Sequence, residues 1–373
     1  MDILILGGTG AMGIPLVKKL ADDNRVYVTT RKDRPSEYNI KYVTCDAHDL
    51  DYIKMLCSEK HFSAIVDFMI YDQKEFEERY QYFLSVTDQY VFISSARVYA
   101  FSDIIYETSP RLLDVSDDQN FLRTDEYSLR KAREENLLMN SGKLNWTIIR
   151  PYITYDTNRL QLGTLEKEYW LRRALIGKAI VLTQNTAQAF TSLTYGTDVS
   201  NAIAEVLGNK DCIGQIFHIV NEETLKWSEI LEIYLDTFEK VRGHRPKIKI
   251  LDDYRELAKV LGNQYQMEYD RFYNRKFDSS KVVKYTGKNI MYKNIKTGLT
   301  ECLTEFLSQE KNDMSTDWRF EGFADKQTGD KSKLSDIPGK INKIKYFIWR
   351  HFPSVLMLSL SKIKSYVHSF DLN

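Results

Sequence analysis

Two apolar periods alternate along the first half of the chain. Short apolar runs at 2–6, 25–30, 40–43, 63–68, 89–94 and 145–149 have the length and composition of strands buried on both faces. Between them, near 11–21, 49–58, 73–87 and 124–141, apolar positions recur every three or four residues, the period of an amphipathic helix. Strand–helix alternation of this kind predicts an α/β fold, a doubly wound parallel sheet with helices on both faces. After about residue 155 helical patterns dominate, near 164–176, 196–208, 226–240 and 293–309, with short strands at 179–182 and 215–219. The expected organisation is a core over 1–155 and a smaller region over 156–310, some of whose segments return to the core. A polar linker over 311–340 and a tail over 341–373 follow.

The first strand runs into "GGTGAMG", which holds Gly7, Gly8, Gly10 and Gly13, and then into a helical pattern with Pro15 in its first turn. Glycines at a strand-to-helix turn let backbone N–H groups and a helix N-terminus converge on one point, which suits a phosphate. The spacing Gly7-x-x-Gly10-x-x-Gly13 fits a dinucleotide, with Gly7, Gly10, Met12 and Gly13 as its expected contacts. The second strand ends in Thr29-Thr30-Arg31-Lys32-Asp33-Arg34, where a ribose hydroxyl would call for an acceptor and a ribose phosphate for cations. Arg31 and Arg34 favour NADP over NAD. Asp46, after the third strand, is a candidate for the adenine side or for a helix cap.

A buried strand then delivers Ser94 and Ser95 at its C-terminal end, the edge where open α/β sheets bind ligands. Further on, Tyr127 and Lys131 stand four apart and share one helix face. A tyrosine serves as an acid/base when its phenolate is stabilised, and a neighbouring ammonium or a nicotinamide cation does that. With 24 tyrosines in the chain the pair alone says little; the order of glycine turn, strand-end serine, Tyr-x-x-x-Lys and "TIIRPYITY" says more.

With these motifs, and with Ser95 four before Tyr99 and Arg150-Pro151 after the sixth strand, residues 1–305 resemble the extended short-chain dehydrogenase/reductases, in the NAD-dependent epimerase/dehydratase branch. The resemblance implies a Rossmann domain holding NAD(P), with Tyr127 as catalytic acid/base. Lys131 would support Tyr127 and hold the ribose, and Ser95 would position a substrate that in most relatives is a nucleotide sugar. Three departures qualify it. Ala96 and Arg97 stand where the dehydratases carry an acidic pair, which disfavours sugar dehydration; Thr191-Ser192 replace the Arg-Asp that grips a substrate diphosphate, and Ile153 replaces the usual Asn, both of which count against an ordinary nucleotide-diphosphate substrate. Arg97, Tyr155, Arg172, Thr191 and Arg271 are the candidate substrate contacts, with Arg173 and Arg275 as further cations. "FISSARVYA", "TSLTYGTDVSNAI" and "FHIVNEETLKWSEI" are similar to a bacterial subgroup related to the chloroplast stem-loop-binding proteins, some of which bind RNA. The expected activity is that of an NAD(P)-dependent oxidoreductase or isomerase acting on a sugar, as a nucleotide-sugar epimerase or reductase serving polysaccharide biosynthesis. The alternatives are an NADPH-dependent keto-sugar reductase and a non-catalytic RNA-binding protein.

Lys+Arg and Asp+Glu are equal at 52, which gives nucleic acid no electrostatic support. The four cysteines are scattered, so reduced thiols are expected and no metal site. The chain starts directly on its first strand, so no signal peptide and a cytoplasmic location are expected. Charge is segregated: residues 331–373 hold eight Lys/Arg against two Asp/Glu, net +6, leaving −6 on 1–330. The tail mixes lysines with Ile344, Phe347 and Trp349 and has an apolar run too short to span a bilayer. It reads either as an interfacial segment, giving peripheral contact with the inner face of a membrane through 340–370, or as a packing element. A homodimer is the other candidate partnership.

Overall fold

The computed structural model describes residues 1–310 and 314–352, so the tail beyond 352 lies outside the described residues. The chain divides into two compact units. One comprises Met1–Arg159, Phe190–Leu225 and Tyr273–Leu299; the other comprises Leu160–Ala189, Lys226–Phe272 and the chain from Thr300.

The first unit is a Rossmann-type α/β domain. Its strands are β1 (Asp2–Leu6), β2 (Arg25–Thr30), β3 (Ile40–Thr44), β4 (Phe62–Asp67), β5 (Thr87–Ile93), β6 (Trp146–Pro151) and β7 (Gln215–Ile219). They form one parallel sheet in the order β7-β6-β5-β4-β1-β2-β3. The run at 215–219, expected in the smaller region, is thus the seventh strand of the main sheet, paired with β6 from Gln215↔Thr147 to Ile219↔Pro151. Pleating sends alternate residues of β1 to opposite faces. Ile3 and Ile5 pack under α1 (Gly13–Ala21) and α5 (Gly196–Val206), through Leu16, Val17, Val199 and Ile203. Leu4 and Leu6 pack under α2 (Leu50–Glu59), α3 (Gln73–Val86) and α4 (Tyr127–Met139), through Ile53, Phe76, Phe83 and Leu138. Both faces of the sheet are covered, which explains why its strands are continuously apolar. The chain crosses from one side of β1 to the other at its C-terminal end, between β2 and β4, where such sheets open a crevice for ligands.

In the second unit, strands Ile180–Thr183 and Ile248–Leu251 pair in parallel beside helices Lys167–Leu175 and Trp227–Arg242. Part of the stretch that reads as a linker is also ordered here. Trp318–Thr328 is a helix capped by the Asp317 side chain, with Trp318, Phe320 and Phe323 buried. Its acidic positions are buried too. Arg173, with no exposed surface, pairs with Glu321 and Asp325 at 3.0 Å each and with Asp330 at 3.1 Å; Lys178 reaches Asp325 at 2.8 Å. The polarity of Glu321 and Asp325 thus answers cations contributed from some 150 residues away, not solvent. Among the described residues no helix is long and apolar enough to cross a membrane.

Candidate functional site

The glycine turn joins β1 to α1 at the crevice. Gly7 has φ +71°, a conformation side chains rarely adopt, and its N–H donates to the Thr29 hydroxyl at 3.1 Å. A Cβ on Gly13 would lie 2.5 Å from the Gly8 carbonyl carbon, so helix and strand approach too closely there for any side chain. A Cβ on Gly10 would meet nothing within 4 Å. The turn is held from behind by α5: a Cβ on Gly196 would strike the Ala11 carbonyl, and the Ser200 hydroxyl donates to the Met12 carbonyl at 2.5 Å. The nine-residue α1 has no side-chain cap and no acidic residue in its first turn. The Ile14 N–H donates to the Gly10 carbonyl at 3.1 Å and Pro15 has no N–H, so what the helix start offers is its uncapped dipole beside the open space at Gly10, which fits the phosphates of a dinucleotide.

At the end of β5 the chain turns through Ser95, whose hydroxyl accepts from the Arg97 N–H at 3.2 Å. The Arg97 guanidinium pairs with Glu126 and lies 5.2 Å from the centre of the Tyr127 ring. Glu126 caps α4, its carboxylate accepting from the Ser128 N–H at 2.6 Å. Tyr127 is the first residue of α4, half-buried, with Arg130 on its ring at 6.0 Å. Ser95, Arg97 and Tyr127 are thereby joined in one cluster, and Arg97 links the strand end to the helix start.

Lys131, one turn along α4, is directed inward. Its ammonium is buried over the Phe92 ring at 4.4 Å and pairs with Glu134 at 3.0 Å. Beyond this pair it has no hydrogen-bond acceptor among the described residues, and the Glu134 oxygens likewise have no hydrogen-bond donor. Burial pushes the Glu134 carboxyl above the usual carboxylate range, against the pull of Lys131. Asp67, at the end of β4, is also buried and raised by burial; it accepts from Tyr90 at 2.7 Å and from the Met69 N–H at 2.9 Å. An ammonium with unused donors next to the crevice fits a ribose diol.

Behind the cluster, Glu135 ties three segments together. It takes a bidentate pair from Arg150 at 2.8 and 2.6 Å, the Ser94 hydroxyl at 2.6 Å and Arg111 at 3.1 Å, all with little or no exposure. Arg150 covers the Tyr99 ring at 4.7 Å, and Tyr99 meets Nδ1 of the buried His218 at 3.2 Å. The other ring nitrogen of His218 faces the Asp278 carbonyl, which only accepts, so Nε2 carries the proton and Nδ1 accepts from Tyr99. Burial pushes this imidazole down to about 4.

Arg31 is exposed and Arg34 lies 5.8 Å from the centre of the Tyr42 ring, both just past β2. Asp46 accepts from the His48 N–H in a turn, and the cap of α2 is Asp49. Tyr155 is fully buried, its hydroxyl where a Cβ on Gly298 would be 2.0 Å away, and the buried Thr191 hydroxyl turns to the Ser192 carbonyl. Arg172 pairs with Glu321 at 3.0 Å, and Arg271 is buried against Asp270 with its Nε on the Gly163 carbonyl. These two guanidiniums belong to the second unit, where internal carboxylates hold them. Arg275 is buried in the first unit and donates to the carbonyl of Tyr99.

Residues 1–307 match the family model described as RmlD substrate binding domain. The chain belongs to this family. It is accordingly a member of the extended short-chain dehydrogenase/reductases that its motifs resemble. This RmlD-type chain is 28% identical over 237 residues to the chloroplast stem-loop binding protein of 41 kDa b of Arabidopsis thaliana, which covers 59% of each chain. It is 24% identical over 240 residues to the 2'-dehydrokanamycin reductase of Streptomyces kanamyceticus, covering 62% of this chain and 65% of that one. The chain thus spans about three fifths of the length of these curated relatives. Among solved structures, the UDP-glucuronic acid 4-epimerase of Bacillus cereus, in complex with UDP-glucuronic acid and NAD, superposes with a TM-score of 0.60 at 17% identity, covering 82% of this chain and 99% of that one. At this identity the likeness is one of fold.

Proposed function

We propose that the chain is a nicotinamide-dinucleotide oxidoreductase acting at a carbinol or keto carbon of a sugar, with a nucleotide sugar as substrate. The observation that carries this reading is the convergence, at one edge of the sheet, of an uncapped α1 above Gly10 with the Ser95–Arg97–Tyr127 cluster. The nicotinamide supplies a hydride acceptor or donor when bound. The chain's own residues supply the rest. The Tyr127 hydroxyl takes or gives the proton at the substrate oxygen, the Ser95 hydroxyl bonds that oxygen, and Lys131 holds the ribose from inside the crevice. The turn at Gly7–Gly13 carries the pyrophosphate. Arg31 and Arg34 support NADP, because both cations stand just past β2 and neither makes an ion pair with an acidic residue among the described residues.

An epimerase and a reductase would use the same residues and differ in whether the cofactor stays bound. The named reductase and the named epimerase among the relatives support this class of chemistry. A non-catalytic RNA-binding role on the same fold has the likeness to the stem-loop binding protein in its favour. The net −6 of residues 1–330 opposes it.

The test is turnover of a panel of UDP- and dTDP-sugars with NAD or NADPH, followed by product chromatography, for the wild type and Tyr127→Phe. The reading expects turnover lost in Tyr127→Phe with cofactor affinity kept within about twofold, since only the ionisable oxygen is removed. Retained turnover in that variant overturns it. In the same assay Arg31→Ala with Arg34→Ala should weaken NADPH far more than NADH.

A further inference from the structure

Helix Gly339–His351 has two unlike faces. One is docked within the second unit. Tyr346 is buried, its hydroxyl donating to Asp325 at 2.8 Å, its ring edge-on to Trp318 at 6.3 Å and its carbonyl where a Cβ on Gly322 would be 2.4 Å away. Arg350, one turn on, reaches Asp325 at 3.7 Å. Tyr346 and Arg350 lie four apart and so fix which side of the helix faces the protein.

The opposite side is apolar and uncovered. Ile341, Ile344 and Phe347 follow at three-residue spacing and are 70%, 57% and 51% exposed, and Phe352 continues the stripe past the helix end. Lys340, Lys343 and Lys345 are exposed around it. Over 331–352 the sequence holds six Lys/Arg and one acidic residue, Asp336. Large side chains exposed in a row, ringed by lysine, are the surface that lies in a bilayer interface, with apolar groups at the acyl boundary and ammonium groups at the phosphates.

We infer that this face docks on an anionic lipid surface, with Ile341, Ile344 and Phe347 inserted and the lysines on the headgroups. Charge decides against the other occupants. A second copy packed face to face about a two-fold axis would bring the two lysine rows together. The chain's own residues 353–373 carry Lys362 and Lys364 against Asp371 alone, so they offer no counter-charge. A bilayer containing anionic lipid supplies both an apolar layer and negative charge.

The experiment is co-sedimentation of the full chain with vesicles of phosphatidylcholine containing phosphatidylglycerol, and with vesicles of phosphatidylcholine alone, at low and high salt. Ile344→Glu with Phe347→Glu alters only exposed side chains and should leave folding unchanged. Lys340→Gln with Lys343→Gln and Lys345→Gln removes the charge and keeps the stripe. The wild type should sediment with the anionic vesicles and release at high salt, and both variants should bind at least about tenfold more weakly. Three results overturn the inference. One is a wild type that stays in the supernatant with anionic vesicles at low salt. Another is variants that sediment like the wild type, which assigns binding to other residues. The third is a wild-type dimer that the glutamate pair converts to monomer without any vesicle binding, which makes the stripe a protein interface. None of these outcomes touches the dinucleotide reading, which rests on the other unit.

Discussion

The Arg97 guanidinium holds the Glu126 carboxylate, the cap of α4, while lying 5.2 Å from the ring centre of Tyr127, the residue that follows it. Because the Arg97 N–H also bonds the Ser95 hydroxyl, one residue sets the strand end and the helix start against each other.

Arg97→Met keeps the bulk of the stem and removes the charge. It should cost about 1–3 kcal/mol of stability, the range for a charge-assisted hydrogen bond. It should lower kcat by about tenfold or more through misplacement of Tyr127, with cofactor affinity unchanged. Denaturant titration, kinetics and cofactor calorimetry on the one variant separate the three effects.

The Lys131–Glu134 pair has no exposed surface to speak of, so removing one partner leaves the other charge buried. Lys131→Met should therefore destabilise the fold by about 3 kcal/mol at pH 8, and Lys131→Met with Glu134→Gln should recover most of that. The sign with pH follows from burial, which raises the folded value of Glu134 above its unfolded one. The cost is absent at acid pH, where the carboxyl is neutral, and grows as the pH rises through the folded value. Thermal melts of the three proteins between pH 5 and pH 8 check this.

His218 titrates in the other direction. Its folded value, about 4, lies below the ordinary 6.5 because the imidazole is buried between Tyr99 and the Asp278 carbonyl, with Arg150 and Lys281 adding positive charge nearby. Its contribution to stability is complete above pH 6.5 and is lost as the pH falls toward 4, about 3 kcal/mol in all. Denaturant unfolding at pH 7.5 and pH 4.5 should show the wild type losing more on acidification than His218→Gln, by up to that amount.

Much of the first unit was legible in the sequence, because a strand covered on both faces must be apolar throughout and a covering helix must be apolar on one side. The glycine turn and the Tyr127–Lys131 spacing were legible for the same local reason. What could not be read depends on partners far along the chain. Glu134 and Glu135 look like a solvated helix surface, yet both are buried, the second by Arg150 and Arg111. The Trp318–Thr328 helix looks like linker because Glu321 and Asp325 are polar, and Arg173, which makes them burial-tolerant, lies 148 residues from Glu321. Arg172 and Arg271 look like unpaired cations until their carboxylate partners are seen.

The proposed chemistry depends on a dinucleotide in the space above Gly10. Gly13 is a poor probe of it, since a Cβ there meets Gly8 backbone and disturbs the fold itself. Gly10→Ala is a clean one: its Cβ meets no protein atom within 4 Å, so the variant should melt with the wild type. Calorimetric titration of NADH and NADPH into both proteins, after removal of any co-purified nucleotide identified by mass spectrometry, is the direct measurement. The wild type should bind at least one dinucleotide, and Gly10→Ala should bind it at least about tenfold more weakly, because the backbone must approach the pyrophosphate at that residue. Equal affinity in the two proteins, or no binding of either dinucleotide by a folded wild type, would contradict the proposal.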